Sequence, residues 1–422
     1  MALTPLDFPA SPTNGQTYPN PPVTGQPTYQ WDAATGVWLS KFALGEEYVQ
    51  LDGGQPMTGL LTLSGNPTAP MHAATKSYVD STEKGRKNYI INGAMMVSQE
   101  NAATAGTVSG FYPADMFSVS FTGTSGALST ANNPTVTPGG SPNRLRVAVT
   151  LADAAVAAGD AVWITTVVEG LRYGDLRFGS AAAKTITIQF GVRAPAGTYC
   201  VAVRNGTADR SYVAEYVIAA GEANTDVIKS VTLTGDLAGT WAAGNSTSAG
   251  MLISWGLMVG GTYQTPAGSW VASNFMASSN QFNFMGTLSN IFDLFDVSLT
   301  EGTVAPPFQV PDYAQELAAC QRYFEIMTGM IGTGHCVAAT TALIVSRFMS
   351  KRASPTISHT SIGSFSLYNV AGATVAVTSA NPSSNITATG ALTVYQTASG
   401  LVAGNGTELY GGAGTFLINA RL

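Results

Sequence analysis

The feature that most constrains this chain is a run of short alternating segments from Asn88 to about Pro311, each bounded by Gly, Asn, Asp or Pro. LRVAVTL (145–151), AVWITTVVEG (161–170), KTITIQFGVRA (184–194), GTYCVAVRN (197–205), SYVAEYVIA (211–219) and DVIKSVTLTG (226–235) each alternate with the period of a half-buried strand. Further strands are expected at 250–260 and 280–300. Evenly spaced strands with turn signals between them predict an all-β sandwich of the jelly-roll type over 89–310. Residues 335–422 alternate again and predict a second, smaller sandwich, so the chain reads as mainly β, an extended multi-domain molecule with short linking helices.

Two segments depart from this pattern. PDYAQELAACQRYFEIMTG is a helix by its spacing: Asp312 caps it, Gln315 is the capping-box partner, and Tyr313, Leu317, Cys320 and Phe324 share one face. It links the two β regions over 311–329. Residues 1–50 carry seven prolines and cannot build a core alone, but TYQWDAATGVWLSK reads as a hairpin stapled by Tyr29, Trp31 and Trp38 around a turn at Asp32 to Gly36. Between them, residues 51–88 give a short strand and then a helix whose stripe of Met71, Ala74 and Tyr78 is too short to be stable alone, which makes packing against copies of itself a reasonable route to stability.

Composition narrows the function. Nineteen basic against 25 acidic residues give a net charge of −6, which excludes the electrostatic footprint of a nucleic-acid binder. Charged residues make up 10% of the chain, against roughly 25% in ordinary globular proteins, so Ser, Thr, Asn and Gln must keep the surface wet. The most apolar stretch, Leu151 to Val168, is broken by Asp153 and Asp160, so no membrane-embedded segment is expected. The N-terminus lacks the basic start and apolar run of a secretory signal, which implies folding in the cytosol. Cys200, Cys320 and Cys336 have no CxxC spacing and read as free buried thiols.

The sequence offers little for catalysis. His72, His335 and His359 lack a second ligand at the four-residue spacing of a helical metal site, and no phosphate-binding loop or nucleophile elbow is present; neither metal nor cofactor is expected. Asp293, Asp296 and Glu301 raise the question of a glycosidase pair, but a separation of three in a strand puts Asp293 and Asp296 on opposite faces, as solvated strand-edge charges. No enzyme activity is expected. Aromatic residues remain, and flat ring faces beside neutral hydrogen-bonding groups suit sugars. Trp163, Tyr199 and Trp255 lie mid-strand and are assigned to the core, whereas Tyr173, Trp241, Tyr263 and Trp270 adjoin Gly-rich turns and are candidates for receptor contact. Tyr368, Tyr395 and Tyr410 are candidates in the last domain, with core packing as the alternative.

The opening FPASPTNGQTY and PTYQWDAATGVW resemble the N-terminal attachment segment of bacteriophage tail proteins, and PMTGLLTLSGNPTAPMHAATKSYVD is similar to a tail-fibre repeat. NYIINGAMMVSQEN and GTYCVAVRNGTADRSYVAEYVI resemble parts of a carbohydrate-binding-module-like jelly roll of such fibres, and FQVPDYAQELAACQRYFE its linking motif. The resemblance to phage tail fibres implies a homotrimeric virion protein. Residues 1–50 would hold a tail or baseplate protein, the stripe at 71–78 would trimerise, and the distal domains would meet a host-surface polysaccharide or outer-membrane protein. Two alternatives stand beside it: a structural tail component whose sandwich binds other virion proteins, and a polysaccharide depolymerase.

Overall fold

The computed structural model describes residues 8–21, 27–41, 87–244, 246–368 and 372–422. The tail-fibre repeat and neck, with Met71, Ala74, Tyr78 and His72, lie outside the described residues. The chain divides into two compact units, 1–75 and 76–422.

In the first unit β1 (Thr17–Tyr18), β2 (Thr28–Asp32) and β3 (Val37–Lys41) form an antiparallel three-stranded sheet. The turn forms because the Asp32 carboxylate accepts from Ala34 N (2.9 Å) and Thr35 Oγ1 (2.7 Å), while Gly36 takes a left-handed φ of 66°. Trp31 stands directly opposite Trp38 with ring centroids 5.7 Å apart. Phe8 stacks on Trp38 at 4.9 Å and meets Tyr29 edge-on at 5.2 Å, so five aromatic residues including Tyr18 replace the core this short segment lacks.

The second unit begins with a sandwich. Its strands are β4 (Phe111–Ala114), β5 (Phe117–Thr122), β6 (Ala127–Asn133), β7 (Arg144–Leu151), β8 (Ala161–Glu169), β9 (Ile186–Arg193), β10 (Gly197–Asn205), β11 (Arg210–Ile218), β12 (Val227–Leu233), β13 (Ala249–Val259), β14 (Trp270–Ala272) and β15 (Ile291–Glu301). They pair as a seven-stranded sheet, β14-β11-β10-β13-β8-β5-β4, and a five-stranded sheet, β12-β9-β15-β7-β6. Alternate residues of the two sheets fill the space between them: Phe117, Ile164, Tyr199 and Trp255 from one, Leu145, Phe190, Phe292 and Leu299 from the other, all fully buried. Phe190 meets Trp255 edge-on at 5.7 Å, and Tyr199 meets Phe292 at the same separation.

The acidic residues of β15 differ from expectation. Asp293 and Asp296 are buried, not solvated. Arg146 holds Asp293 through two hydrogen bonds of 2.7 and 2.8 Å, and Arg144 lies 3.6 Å away. The pairing of β15 with β9 slips between Phe295 and Ser298, and Asp296 there takes a φ of 50°, which turns its carboxylate onto Thr137 Oγ1 (2.9 Å), Gly139 N (3.1 Å) and Ser141 Oγ. Both carboxylates thus serve the fold. Glu301 is half-buried and pairs with Lys184 at 2.9 Å.

The linking helix runs over Tyr313–Gln321, with Asp312 Oδ1 accepting from Gln315 N at 3.1 Å. It is shorter than its sequence pattern, because Phe324 already opens the next strand; Tyr313 is 55% exposed, whereas Leu317 and Cys320 join the sandwich core. Beyond it, the second β region closes on itself where two facing sheets were expected. β17 (Met330–Ala338), β18 (Thr341–Arg347), β22 (Gly390–Thr397), β21 (Thr374–Thr387), β20 (Ser366–Tyr368) and β23 (Gly406–Tyr410) make a closed barrel. β16 (Phe324–Met327), β24 (Thr415–Asn419) and β19 (Thr356–Thr360) form a separate three-stranded sheet. Closure leaves these strands no open edges, which suits a region with few charges to protect them. The three cysteines are free and buried.

Polar contacts fix the barrel to the sandwich. Glu169, at the end of β8, accepts from Arg322 Nε (2.9 Å), Arg322 Nη2 (2.6 Å) and Tyr323 Oη (2.6 Å). Arg421 lies over the rings of Tyr112 (3.9 Å) and Phe324 (3.8 Å) and pairs with Glu100 at 2.6 Å.

Two outcomes are expected. Asp293→Ala leaves the Arg144 guanidinium buried with less compensation and should cost about 3–5 kcal/mol in urea unfolding; a loss below about 1 kcal/mol would contradict the pairing. Burial pushes the Glu169 carboxyl up, but its bonds to Arg322 and Tyr323 outweigh that and hold it below its ordinary value. A depressed carboxylate stabilises above its unfolded pKa, about 4.3, and that contribution fades as pH falls toward the folded value. Thermal melts from pH 6 to 3 should therefore fall less steeply for Glu169→Gln than for the unsubstituted protein, and equal slopes would refute the coupling.

Candidate functional site

The structure separates the aromatic candidates. Tyr173 is fully buried, its hydroxyl donating to the carbonyls of Ala242 (2.6 Å) and Gly250 (3.2 Å), because the glycine beside it lets it turn inward; it is a core residue and not a surface contact. Tyr395 is likewise fully buried, on an inward position of β22, with its hydroxyl 2.8 Å from His359 Nε2; it too is corrected to the core. Trp241 and Trp270 are half-buried and stand edge-to-face at 5.5 Å, with Phe178 against both. Their indole N–H groups already donate to Asp236 Oδ2 (3.1 Å) and Thr234 O (2.8 Å), so this cluster closes one end of the sandwich with its polar groups spent. Tyr368 and Tyr410 come together at 5.2 Å on the barrel, where Tyr368 lines a shallow groove of about 470 Å³ with Thr333, Thr407 and Glu408. In the first unit, Trp31 lines a groove with Gln30 and Leu39.

Tyr263 belongs to a different arrangement, on the outer face of the seven-stranded sheet. Residues 260–283 leave the end of β13 and, on either side of the edge strand β14, return across that face, tied by Gly260 N to Asp160 O (2.7 Å), Thr262 N to Ala158 O (2.9 Å) and Phe282 N to Thr198 O (2.7 Å). Gly260 is required there: a Cβ would stand 2.0 Å from Ala157 O. Under the segment lies a second apolar cluster, Ala161, Cys200, Ala202, Val213, Val259, Met276 and Ala277, against which the half-buried rings of Trp163, Tyr263 and Phe275 pack. Trp163, assigned to the core by its mid-strand position, thus alternates to the outside, since Val162 and Ile164 hold the inner positions.

Beside Val259 and Met276 of this cluster sits Gln281. Its carboxamide lies above Gly256, whose strand partners are Trp163 on β8 and Cys200 on β10; a Cβ at 256 would come 3.3 Å from Gln281 Nε2. Gln264, Gln281 and Asn283 line a cavity of about 270 Å³ together with Met258, Phe282 and Val156. Gln264 Nε2 donates to Val259 O (2.7 Å) and Asn283 Nδ2 to Asp153 O (2.8 Å), which holds these two amides in place. Gln281 Nε2, Gln281 Oε1 and Asn283 Oδ1 have no hydrogen-bond partner although each is shielded from solvent. A buried polar atom without a partner costs about 1–3 kcal/mol, so three in one place form an arrangement that folding alone does not favour. The space holds the volume of roughly nine waters at about 30 Å³ each, which is also enough for one ring-sized polar molecule. Neutral amides and ring faces can accept and donate to hydroxyl groups and cover apolar C–H surface; at neutral pH they transfer no proton.

Nothing in the sequence singled out these amides, because Gln and Asn are abundant in the chain and only the return of 260–283 over the sheet brings them together. Among the described residues no group of three or more His, Cys, Asp or Glu is placed to hold a metal, and no helix is long and apolar enough to cross a membrane.

No family model matches this chain, and no curated protein does. Among solved structures, it is similar to the enzymatically active domain of bacteriophage CBA120 tailspike protein 4 at 11% identity and a TM-score of 0.26, over 51% of this chain and 21% of that one. It is also similar to TmCBM61 in complex with β-1,4-galactotriose (11% identity, TM-score 0.24, 51% of this chain and 99% of that). A third is the family 11 carbohydrate-binding module of the cellulase Lic26A-Cel5E of Clostridium thermocellum (10% identity, TM-score 0.23, 48% and 96%).

If the amide of Gln281 contributes nothing to folding, Gln281→Met, which keeps the shape and removes the unpartnered groups, should leave stability unchanged or raise it by about 1 kcal/mol. A loss above about 1 kcal/mol in urea unfolding would show that the amide has a structural partner.

Proposed function

We propose that this protein is a non-enzymatic, glycan-binding attachment protein of a bacteriophage tail, with the outer face of the seven-stranded sheet as its sugar site. The observation that carries the sugar reading is the set of unpartnered amide atoms of Gln281 and Asn283 lining one cavity, at the edge of the apolar cluster on which the half-buried rings of Trp163 and Tyr263 pack. A sugar offers both kinds of surface at once, hydroxyls for the amides and an apolar ring face for the indole or phenol. The groove beside Tyr368 on the barrel is a second contact of the same kind, with Tyr410 supporting its ring.

The virion part of the proposal rests on the sequence resemblance of the N-terminal motifs. Residues 1–50, with the Tyr29, Trp31 and Trp38 hairpin, attach to a tail or baseplate protein; residues 51–88, with Met71, Ala74 and Tyr78, hold three copies together. Three copies would present three sugar sites, and the gain from simultaneous engagement makes weak single-site affinity sufficient.

Full-length protein should measure as a trimer in solution, bind host cells, compete with phage for them, and bind fragments of the host-surface polysaccharide. Trp163→Ala and Gln281→Met should each weaken fragment binding by about tenfold or more, on the scale of one lost stacking or hydrogen-bond contact of about 1.5 kcal/mol. Absence of cell binding and of competition would favour a structural tail component, and release of reducing ends from the polysaccharide would favour a depolymerase.

A further inference from the structure

Among the described residues, one cation on the same sheet face has no counter-charge. Arg204, near the end of β10, projects outward next to Leu252 of β13 and Ser211 of β11 and is 6% exposed. Its Nη1 donates to Asn274 Oδ1 (2.6 Å) and its Nη2 to Ser254 Oγ (2.7 Å), both neutral acceptors, while its Nε has no partner. Among the described residues it forms no ion pair. The other deeply buried cations do: Arg144 with Asp226 and Asp293, and Lys351 with Glu325.

A guanidinium held this way loses its hydration without gaining an anion, a state several kcal/mol less favourable than in water. Burial pushes Arg204 down to about 10, which still leaves it charged at neutral pH. Its covering is light. Asn274 reaches it from a half-buried segment next to the exposed Ala272 and Ser273, and Ser273 takes a φ of 115°, a conformation an L-residue adopts only under constraint. Ser211 Oγ supplies that constraint, donating to Ser273 O and accepting from Phe275 N at 2.9 Å.

The polar chain continues toward the rings of the sugar site. Ser254 Oγ lies 2.6 Å from Thr165 Oγ1, and Thr165 is two residues from Trp163 on the same outward face of β8. From Arg204 to Trp163 the face is therefore one strip of side chains, cationic at one end and aromatic at the other.

We infer that Arg204 receives the acidic group of a charged sugar, a carboxylate on a ring bound along this strip, with Asn274 giving up its place to it. The inference rests on the sugar site proposed above and narrows its ligand from glycans in general to acidic ones. Exchanging a neutral carboxamide for a carboxylate gives the guanidinium a charged acceptor at Nη1, where it now has only a neutral one.

The test compares three probes on the full-length protein: an oligo-galacturonate, the neutral oligo-galactose of equal length, and inorganic phosphate. The unsubstituted protein should bind the acidic oligosaccharide at least about tenfold more tightly than the neutral one, the scale of one charge-assisted hydrogen bond. Arg204→Gln should remove that preference while leaving the neutral affinity in place. Asn274→Ala, which uncovers the guanidinium without touching it, should strengthen acidic binding only, and serves if Arg204→Gln does not fold. A preference that survives Arg204→Gln, or an acidic affinity unmoved by Asn274→Ala, would overturn the inference. Phosphate displacing the acidic oligosaccharide as effectively as the uronate itself would overturn the assignment to a sugar-borne acid. Equal binding of both oligosaccharides would sink this inference and leave the sugar site standing; binding of neither would remove both.

Discussion

Covering both faces of one sheet is the constraint on which the rest of this structure depends. The inner face of the seven-stranded sheet is closed by the five-stranded sheet through Trp255, Tyr199, Phe190 and Phe292. Its outer face is closed only in part, by the segment 260–283, and through a smaller apolar cluster. Complete coverage would have made a featureless core layer. Partial coverage leaves half-buried rings, a cavity and polar atoms that are dry but unpaired. The same return of the chain that buries Cys200 and Ala202 creates the candidate site, so site and fold have one origin.

Charge is used sparingly, and where it is buried it is almost always answered. Asp293 has two arginines, Asp296 has three hydrogen-bond donors, and Glu169 has an arginine and a tyrosine at the junction with the barrel. With charged residues at 10% of the chain, each such group is a specific structural device, not part of a general solvated coat. Against that background Arg204 has only neutral partners, and the amides of Gln281 and Asn283 bring three unpartnered polar atoms to one cavity.

Much of the fold was legible because strand alternation is a local property. Seven of the eight sandwich strands read from the sequence appear within a residue or two of their expected limits, while the last shrank from 280–300 to Ile291–Glu301. The hairpin of Trp31 and Trp38 was legible for the same reason, since its turn chemistry sits in five consecutive residues. Closure of the last β region into a barrel was not, because alternating strands read alike whether they face another sheet or curl onto themselves. Tyr173 and Tyr395 show the limit for sites: proximity to a turn or a place on a strand does not say which way a ring points. Trp163 shows the converse, a mid-strand residue that alternation sends outward. Asp296 escaped because a slip in strand register, invisible in sequence, reverses the side on which a carboxylate emerges.

Hydrogen exchange of the full-length protein with and without host-surface polysaccharide shows whether a sugar sits on the partly covered outer face. Slowed exchange is expected to concentrate in residues 260–283 and in β8 around Trp163, with the inner strands of the five-stranded sheet unchanged. Protection confined to other surfaces, with 260–283 exchanging as fast in the presence of polysaccharide as in its absence, would contradict it.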